Sequence, residues 1–200
     1  MYQIGSTSCS YRDLMIQKKI AYTDEDLVNL FRNPERKEYA FNLLVDRYKE
    51  RLYRHIRKLV IDHNDTDDLL QETFISVWRG LGKFRGDSQL FTWLYRIATN
   101  EAFRFLEKKR KRILLPLVKI ERQLSEKLKD DNMFHGDTVQ MKLQQAILTL
   151  PEKQRVVFNL KYFDEMKYED MAEVLNTSVG ALKASYHHAV KKIEKYMTDD

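Results

Sequence analysis

Residues 65–112 read DTDDLLQETFISVWRGLGKFRGDSQLFTWLYRIATNEAFRFLEKKRKR, and their pattern decides the fold. Leu70, Phe74, Val77 and Leu81 recur at three- and four-residue spacing, which places them on one face of a helix. Asp65, Asp67 and Asp68 crowd its start, where carboxylates cap free N–H groups and meet the positive end of the helix dipole. Gly80, Gly82 and Gly86 interrupt the pattern, and Asp87 or Ser88 can cap a second helix. That second helix opens with aromatics and closes in a block of positive charge.

The junction between these helices carries the chemistry. Phe84, Phe91, Trp93 and Tyr95 cluster with Lys83, Arg85 and Arg96. Ring faces stack on unpaired bases while cations hold the backbone, the combination that grips single-stranded nucleic acid. The run Lys108, Lys109, Arg110, Lys111, Arg112 can neutralise duplex phosphates. The same residues also fit plainer roles, because aromatics at helical spacing usually pack in a core and a Lys/Arg run usually faces water. On these residues alone both readings stand.

Upstream, residues 1–22 show no period and are expected to form a flexible arm. Thr23 followed by Asp26 is an imperfect capping box, opening a short helix with Leu27, Leu30 and Phe31 on its apolar side. Pro34 marks a break. From 35 to 60 the pattern is long and strongly periodic. Phe41, Leu44, Val45, Tyr48, Leu52, Ile56 and Leu59 form an inward stripe. Arg47, Lys49, Glu50, Arg51, Arg54, Arg57 and Lys58 are expected on a solvated face. His55 and His63 have no partner at metal-ligand spacing and read as ordinary polar residues. Asp62, His63 and Asn64 make the turn into the quoted stretch, so residues 23–112 form one helical bundle.

Composition fits this reading. Lys and Arg number 35 against 30 Asp and Glu, a formal charge of +5. That excess is modest, so placement matters more than size. Three prolines and six glycines in 200 residues suit an all-α chain. Cys9 is the only cysteine, which excludes an internal disulfide and a cysteine-based zinc site. No apolar run approaches the roughly 20 residues of a membrane helix, and the first residues lack a signal-peptide pattern. A cytoplasmic protein without membrane insertion is expected.

Residues 113–138 lose the pattern. Pro116 stops the basic helix, Asp130 and Asp131 add negative charge, and the polar segment reads as a flexible linker between two small helical domains. His135 stands alone. Residues 139–200 then form the second domain. Met141, Leu143, Ala146, Ile147 and Leu150 mark one helix, and Pro151 opens the next through Val156, Val157 and Leu160. A helix-turn-helix follows. A short helix, 168–175, leads to Asn176, which tolerates the left-handed conformation of a tight turn. Ser178 caps a longer helix. On it Val179, Leu182, Tyr186, Ala189, Val190 and Ile193 face inward. Lys183, Ala184, His187, His188, Lys191 and Lys192 face outward, where small and basic groups can enter a major groove. His187 and His188 are neighbours about 100° apart on a helix, so they cannot share one metal ion.

The segments DDLLQETFISVW, KFRGDSQLFTWLYRIATNEA and LPEKQRVVFNLKYFDEMKYEDMAEVLNTSVGALKASYHHA together resemble the bacterial sigma factors of the extracytoplasmic-function group, in order and spacing. The resemblance covers residues 23–197 apart from much of the linker. It implies a non-enzymatic initiation factor without cofactor or metal, which binds core RNA polymerase and promoter DNA and is often held by an anti-sigma factor. By similarity, Asp68, Leu69, Gln71, Glu72, Phe74 and Trp78 contact the polymerase. Lys83, Phe84, Arg85, Gln89, Phe91, Trp93, Tyr95, Arg96, Asn100 and Arg104 open and hold the minus-ten element. Ser178, Lys183, Ala184, His187, His188 and Lys191 read the minus-thirty-five element. The chain departs from the group where arginines are frequent in the recognition helix, since Ala184, Ser185 and His188 stand there. Bidentate arginine–guanine contacts are absent at those positions.

Other classes fit less well. A conventional helix-turn-helix regulator acting without polymerase is usually a dimer on a palindrome, whereas this chain carries two unlike candidate DNA modules and no heptad zipper. A nucleic-acid enzyme needs catalytic groups, and there is no Walker-type loop, HExxH or Cys/His cluster. A pure protein-interaction bundle leaves the aromatic–cationic junction without a purpose.

Overall fold

The computed structural model describes residues 22–113 and 138–198, all helices and connecting turns. The expected arm apart from Tyr22, with Cys9, and the linker with Pro116, Asp130, Asp131 and His135 lie outside the described residues. Four helices make the first unit: α1 (Asp24–Arg32), α2 (Lys37–Val60), α3 (His63–Gly80) and α4 (Leu90–Ile113). Four more make the second: α5 (Thr138–Leu148), α6 (Glu152–Tyr162), α7 (Tyr168–Leu175) and α8 (Val179–Thr198).

Local chemistry sets the boundaries. The Thr23 hydroxyl accepts from the Asp26 N–H at 3.1 Å, while the Asp26 carboxylate accepts from the Thr23 N–H at 2.8 Å. This is the reciprocal capping box, made with Asp in place of the longer Glu. The carboxyl of Asp26 is held below its ordinary value, first by the Thr23 side chain and then by the Thr23 backbone. α3 begins before its expected start. Asp62 caps it by accepting from the Asp65 N–H at 3.0 Å, and Asp65 is free to take Lys109 of α4 at 2.6 Å.

The inward faces follow the periodicity with two corrections. On α3 the buried stripe is Thr66, Leu69, Thr73, Phe74 and Val77, leaving Leu70 only half-buried. On α2 the expected solvated cations are not all solvated, since Arg57 is 1% exposed and His55 fully buried. Burial lowers the Arg57 pKa from its usual value, against the opposing pull of Tyr53, Asp62 and Asp67. The periodicity shows which face is apolar, and α2 is packed on more than that face.

What covers the rest of α2 is the second unit. A single buried cluster runs from Leu27, Phe31, Leu44, Leu52 and Ile56 through Val77, Leu94, Ala98 and Ala102 into Val157, Leu160, Met171, Val174 and Leu182. α7 packs against α4 and α6 against α2. The second unit keeps a separate core of its own around Ile147, Leu150, Phe158, Ala189 and Ile193. At the end of α2, Ile61 adopts φ 65°, a left-handed conformation unfavourable for a β-branched residue. Its side chain is buried against Leu148 of α5, so packing between the units offsets that strain.

Candidate nucleic-acid interface

The turn between α3 and α4 is built by α1 and α4 together. Arg32 of α1 donates to the Phe84 carbonyl at 2.7 Å and to Asn29 Oδ1 at 3.2 Å. Gly86 takes φ 81°, which a residue with a Cβ adopts at a cost. Arg85 pairs with Asp87 at 3.2 Å, both exposed. Phe84 and Trp93 meet at 5.2 Å between ring centroids, within the range of favourable tilted aromatic pairs. A cavity of about 390 Å³ opens between α1 and this turn, lined by residues including Asn29, Arg32, Phe84, Arg85, Gly86 and Ser88. Arg32 and Asn29 are absent from the expected site. Only the position of α1 over the turn reveals them, and no local spacing carries that signal.

Along α4 the expected residues divide by face. Arg96, Asn100 and Arg104 are exposed, as are Lys83, Arg85 and Gln89 before them. Phe84, Phe91 and Trp93 are half-buried. Tyr95 is 1% exposed and part of the buried core. Its ring meets Phe91 at 4.3 Å and His55 at 4.7 Å between centroids, and Arg51 lies 4.4 Å from the centre of Phe91. The Tyr95 hydroxyl is pushed well above its ordinary value, chiefly by burial and next by the charge of Asp164. In this arrangement Tyr95 has no free face to offer a base. The basic end of α4 is partly engaged internally, with Lys109 on Asp65, Arg110 3.7 Å from Glu152 and Lys111 on Glu107.

The expected docking face of α3 also divides. Asp68, Gln71 and Glu72 are exposed, while Leu69 and Phe74 belong to the core. Trp78 is half-buried, edge-on to Phe31 and Phe41 at 5.2 and 4.9 Å, with Lys37 4.5 Å above its ring. Ile75 is 42% exposed on the same helix. Its signal in the sequence is an apolar residue on an otherwise polar face, unread beside its charged neighbours.

In the second unit the turn forms as the residues dictate. Asn176 takes φ 48°, ψ 53°, and its N–H donates to the Ala172 carbonyl. Ser178 Oγ accepts from the Ala181 N–H at 3.2 Å. Leu182, Ala189 and Ile193 are buried, and Lys183, Ala184, His187, His188 and Lys191 are exposed along the outer side of α8. Two helices with one exposed small-and-basic face, joined by a left-handed residue, match the geometry of a helix-turn-helix. Among the described residues no group of His, Cys, Asp and Glu could hold a metal ion, and no helix is long and apolar enough to cross a membrane.

These two units coincide with two known sequence families. Residues 44–112 match Sigma-70 region 2 and residues 140–193 match Sigma-70, region 4. The RNA polymerase sigma-H factor of Pseudomonas aeruginosa is 32% identical over 182 residues, 86% of this chain and 92% of that protein. The chain belongs to the sigma-70 family.

Within that family it falls in the extracytoplasmic-function group. The ECF RNA polymerase sigma-E factor of Escherichia coli K12 is 32% identical over 180 residues, 86% of this chain and 93% of the relative. The fold is similar to two solved structures. One is RpoE in complex with the anti-sigma factor NepR from Bartonella quintana, with TM-score 0.62, 19% identity and coverage of 80% of this chain and 98% of that one. The other is CnrH in complex with the cytosolic domain of CnrY, with TM-score 0.59, 22% identity and coverage of 94% and 97%. The aromatic–cationic turn of this sigma factor falls within the residues that match region 2, and its helix-turn-helix within those that match region 4.

Proposed function

We propose that this sigma factor binds core RNA polymerase and directs it to promoters, with each unit making a different DNA contact. The observation that carries the reading is the pairing of an aromatic–cationic turn at one unit with an exposed recognition helix on the other. The polar face of α3, with Asp68, Gln71, Glu72 and Ile75, would dock on the polymerase. The turn around Phe84 and Trp93, continued by Arg96, Asn100 and Arg104, would hold melted minus-ten DNA. Unstacking a base costs a few kcal/mol, and preformed ring faces with cations beside them offset part of that. The outer side of α8, with Lys183, Ala184, His187, His188 and Lys191, would read the minus-thirty-five element. The work is non-enzymatic and belongs in the cytoplasm, where the polymerase supplies the catalysis. An anti-sigma partner fits as well, since one of the structures of similar fold is a sigma factor in complex with an anti-sigma factor. In vitro transcription with core polymerase and a promoter library tests the reading. New start sites that depend on this protein are the expected result, and an unchanged start-site profile would refute it.

A further inference from the structure

The turn between α3 and α4 has few internal supports. The Phe84 N–H takes the Leu81 carbonyl at 3.1 Å, and the next backbone bond along the chain runs from Trp93 to Gln89 at 3.1 Å. Between them lies the ion pair of Arg85 and Asp87, whose side chains are 83% and 77% exposed, and such surface pairs contribute little. Gly86 sits at φ 81° with nothing within 4 Å of where a Cβ would stand. A turn of this kind takes its shape from whatever else holds it.

What holds it is the end of α1. Arg32, the last residue of that helix, is exposed, and its Nη2 donates to the Phe84 carbonyl at 2.7 Å across 52 positions of sequence. Its Nη1 donates to Asn29 Oδ1 at 3.2 Å, so the guanidinium is steered from its own helix. A cation in the last turn of a helix has a plain role toward the helix dipole, yet here both bonded nitrogens point to other acceptors. Hydrogen bonds from a charged donor are stronger than those between neutral groups. The helix that carries Arg32 is itself fixed. At its start Asp24 takes Arg47 at 2.7 Å and the Tyr48 hydroxyl at 2.5 Å. At its end Phe31 is 3% exposed and edge-on to Trp78 of α3 at 5.2 Å. Arg32 thus ties an otherwise loose turn to a rigid element.

We propose that Arg32 is a positioning residue for promoter opening, which holds the Phe84 carbonyl so that the Phe84–Trp93 ring pair stands ready for the melted strand. The inference rests on the sigma-factor reading above and names a residue of α1 that serves the same site. Arg32 acts through Phe84 and not by touching DNA. The ring pair, 5.2 Å between centroids and tilted by 49°, is set before DNA arrives, and a preset contact loses less conformational freedom on binding than a mobile one.

The test follows opening by the full-length chain with core polymerase, read from a fluorescent adenine analogue in the minus-ten element. Arg32→Ala should slow opening about tenfold, the scale of one lost charge-assisted hydrogen bond. The salt dependence of promoter binding should stay as it was, whereas loss of a direct phosphate contact would lower its slope by about one. Arg32→Lys, which keeps a donor of similar reach, should recover most of the rate. Asn29→Ala, which leaves the guanidinium unsteered, should give a smaller loss of the same kind and serves if Arg32→Ala folds badly. In a Phe84→Ala protein, Arg32→Ala should slow opening no further, because the ring it positions is gone. Undiminished opening by a folded Arg32→Ala protein would overturn the proposal. So would a further loss of equal size in the Phe84→Ala background, or a reduced salt slope, since either puts Arg32 on the DNA itself. A wild-type chain that opens no promoter refutes the sigma-factor reading and this proposal with it, whereas wild-type opening that is indifferent to Arg32 refutes the proposal alone.

Discussion

Trp93 is the side chain on which the proposed opening of DNA can be tested apart from polymerase binding. Its ring is half-buried, set against Phe84 on one side and against Gly80 on another, where an added Cβ would come within 3.1 Å of Cζ2. Trp93→Ala should therefore impair promoter opening, read by permanganate reactivity of the minus-ten thymines, while core-polymerase binding by co-purification stays nearly unchanged. Equal loss of both would move Trp93 out of the DNA-holding site. Gly80→Ala gains up to about 1 kcal/mol of helix propensity but crowds Trp93. Its expected outcome is a small change in melting temperature with a clear loss of opening. At this scale the sequence is a partial guide. The aromatics at the turn are legible because rings and cations alternate within a dozen residues. His55 is not, because it is buried against Thr99 of α4 and Asp164 after α6, which lie far along the chain. A residue's own neighbours in sequence say nothing about a partner that arrives from a hundred positions away.

Helix ends and helix faces are the best-read scale, since their chemistry is local. Asn176 closes the helix-turn-helix at φ 48°, where a β-branched residue is penalised by about 1–2 kcal/mol. Asn176→Val should lower stability by roughly that amount in chemical denaturation, whereas Asn176→Gly should be close to neutral. At α1, the folded-state pKa of Asp26 lies below the unfolded value. The stabilisation it gives is thus present above the unfolded pKa and is lost as pH falls through the folded one. Amide exchange in the first turn of α1 should accelerate over that acidic range, and Thr23→Ala should remove the pH dependence. The faces carry the functional version of the same logic. Lys183 is exposed on α8, so Lys183→Ala should weaken upstream-element binding across sequences and reduce the salt slope by about one. The register of α3 was the harder element. Leu69 and Thr73 are buried with Phe74 and Val77 while Leu70 packs only at the edge of the core, because small Thr residues pack where α3 approaches its neighbours and apolar spacing alone favours Leu70.

For the whole molecule the decisive feature is a core shared between units that the sequence reads as separate. Composition and a polar connection at 113–138 distinguish two helical units, and nothing in either pattern announces that Val157, Leu160, Met171, Val174 and Leu182 complete the core begun by Leu27 and Leu52. Tyr95 belongs to that shared core at 1% exposure, on the helix whose Arg96, Asn100 and Arg104 are exposed. If promoter binding uses Tyr95, the units must separate first, and that makes closure a testable condition of function. Thr92 and Asp170 approach to 3.4 Å across the boundary, close enough for a short cross-link between cysteines placed there in a Cys9→Ser background. The bridged protein should keep its helical circular dichroism and melt at a higher temperature, because the cross-link restricts the unfolded chain. With core polymerase it should give little promoter opening, and the same cysteine pair left unbridged should give nearly the wild-type amount. Opening by the bridged form equal to wild type would mean that the closed arrangement already exposes every residue the reaction needs, and Tyr95 would drop out of the DNA site.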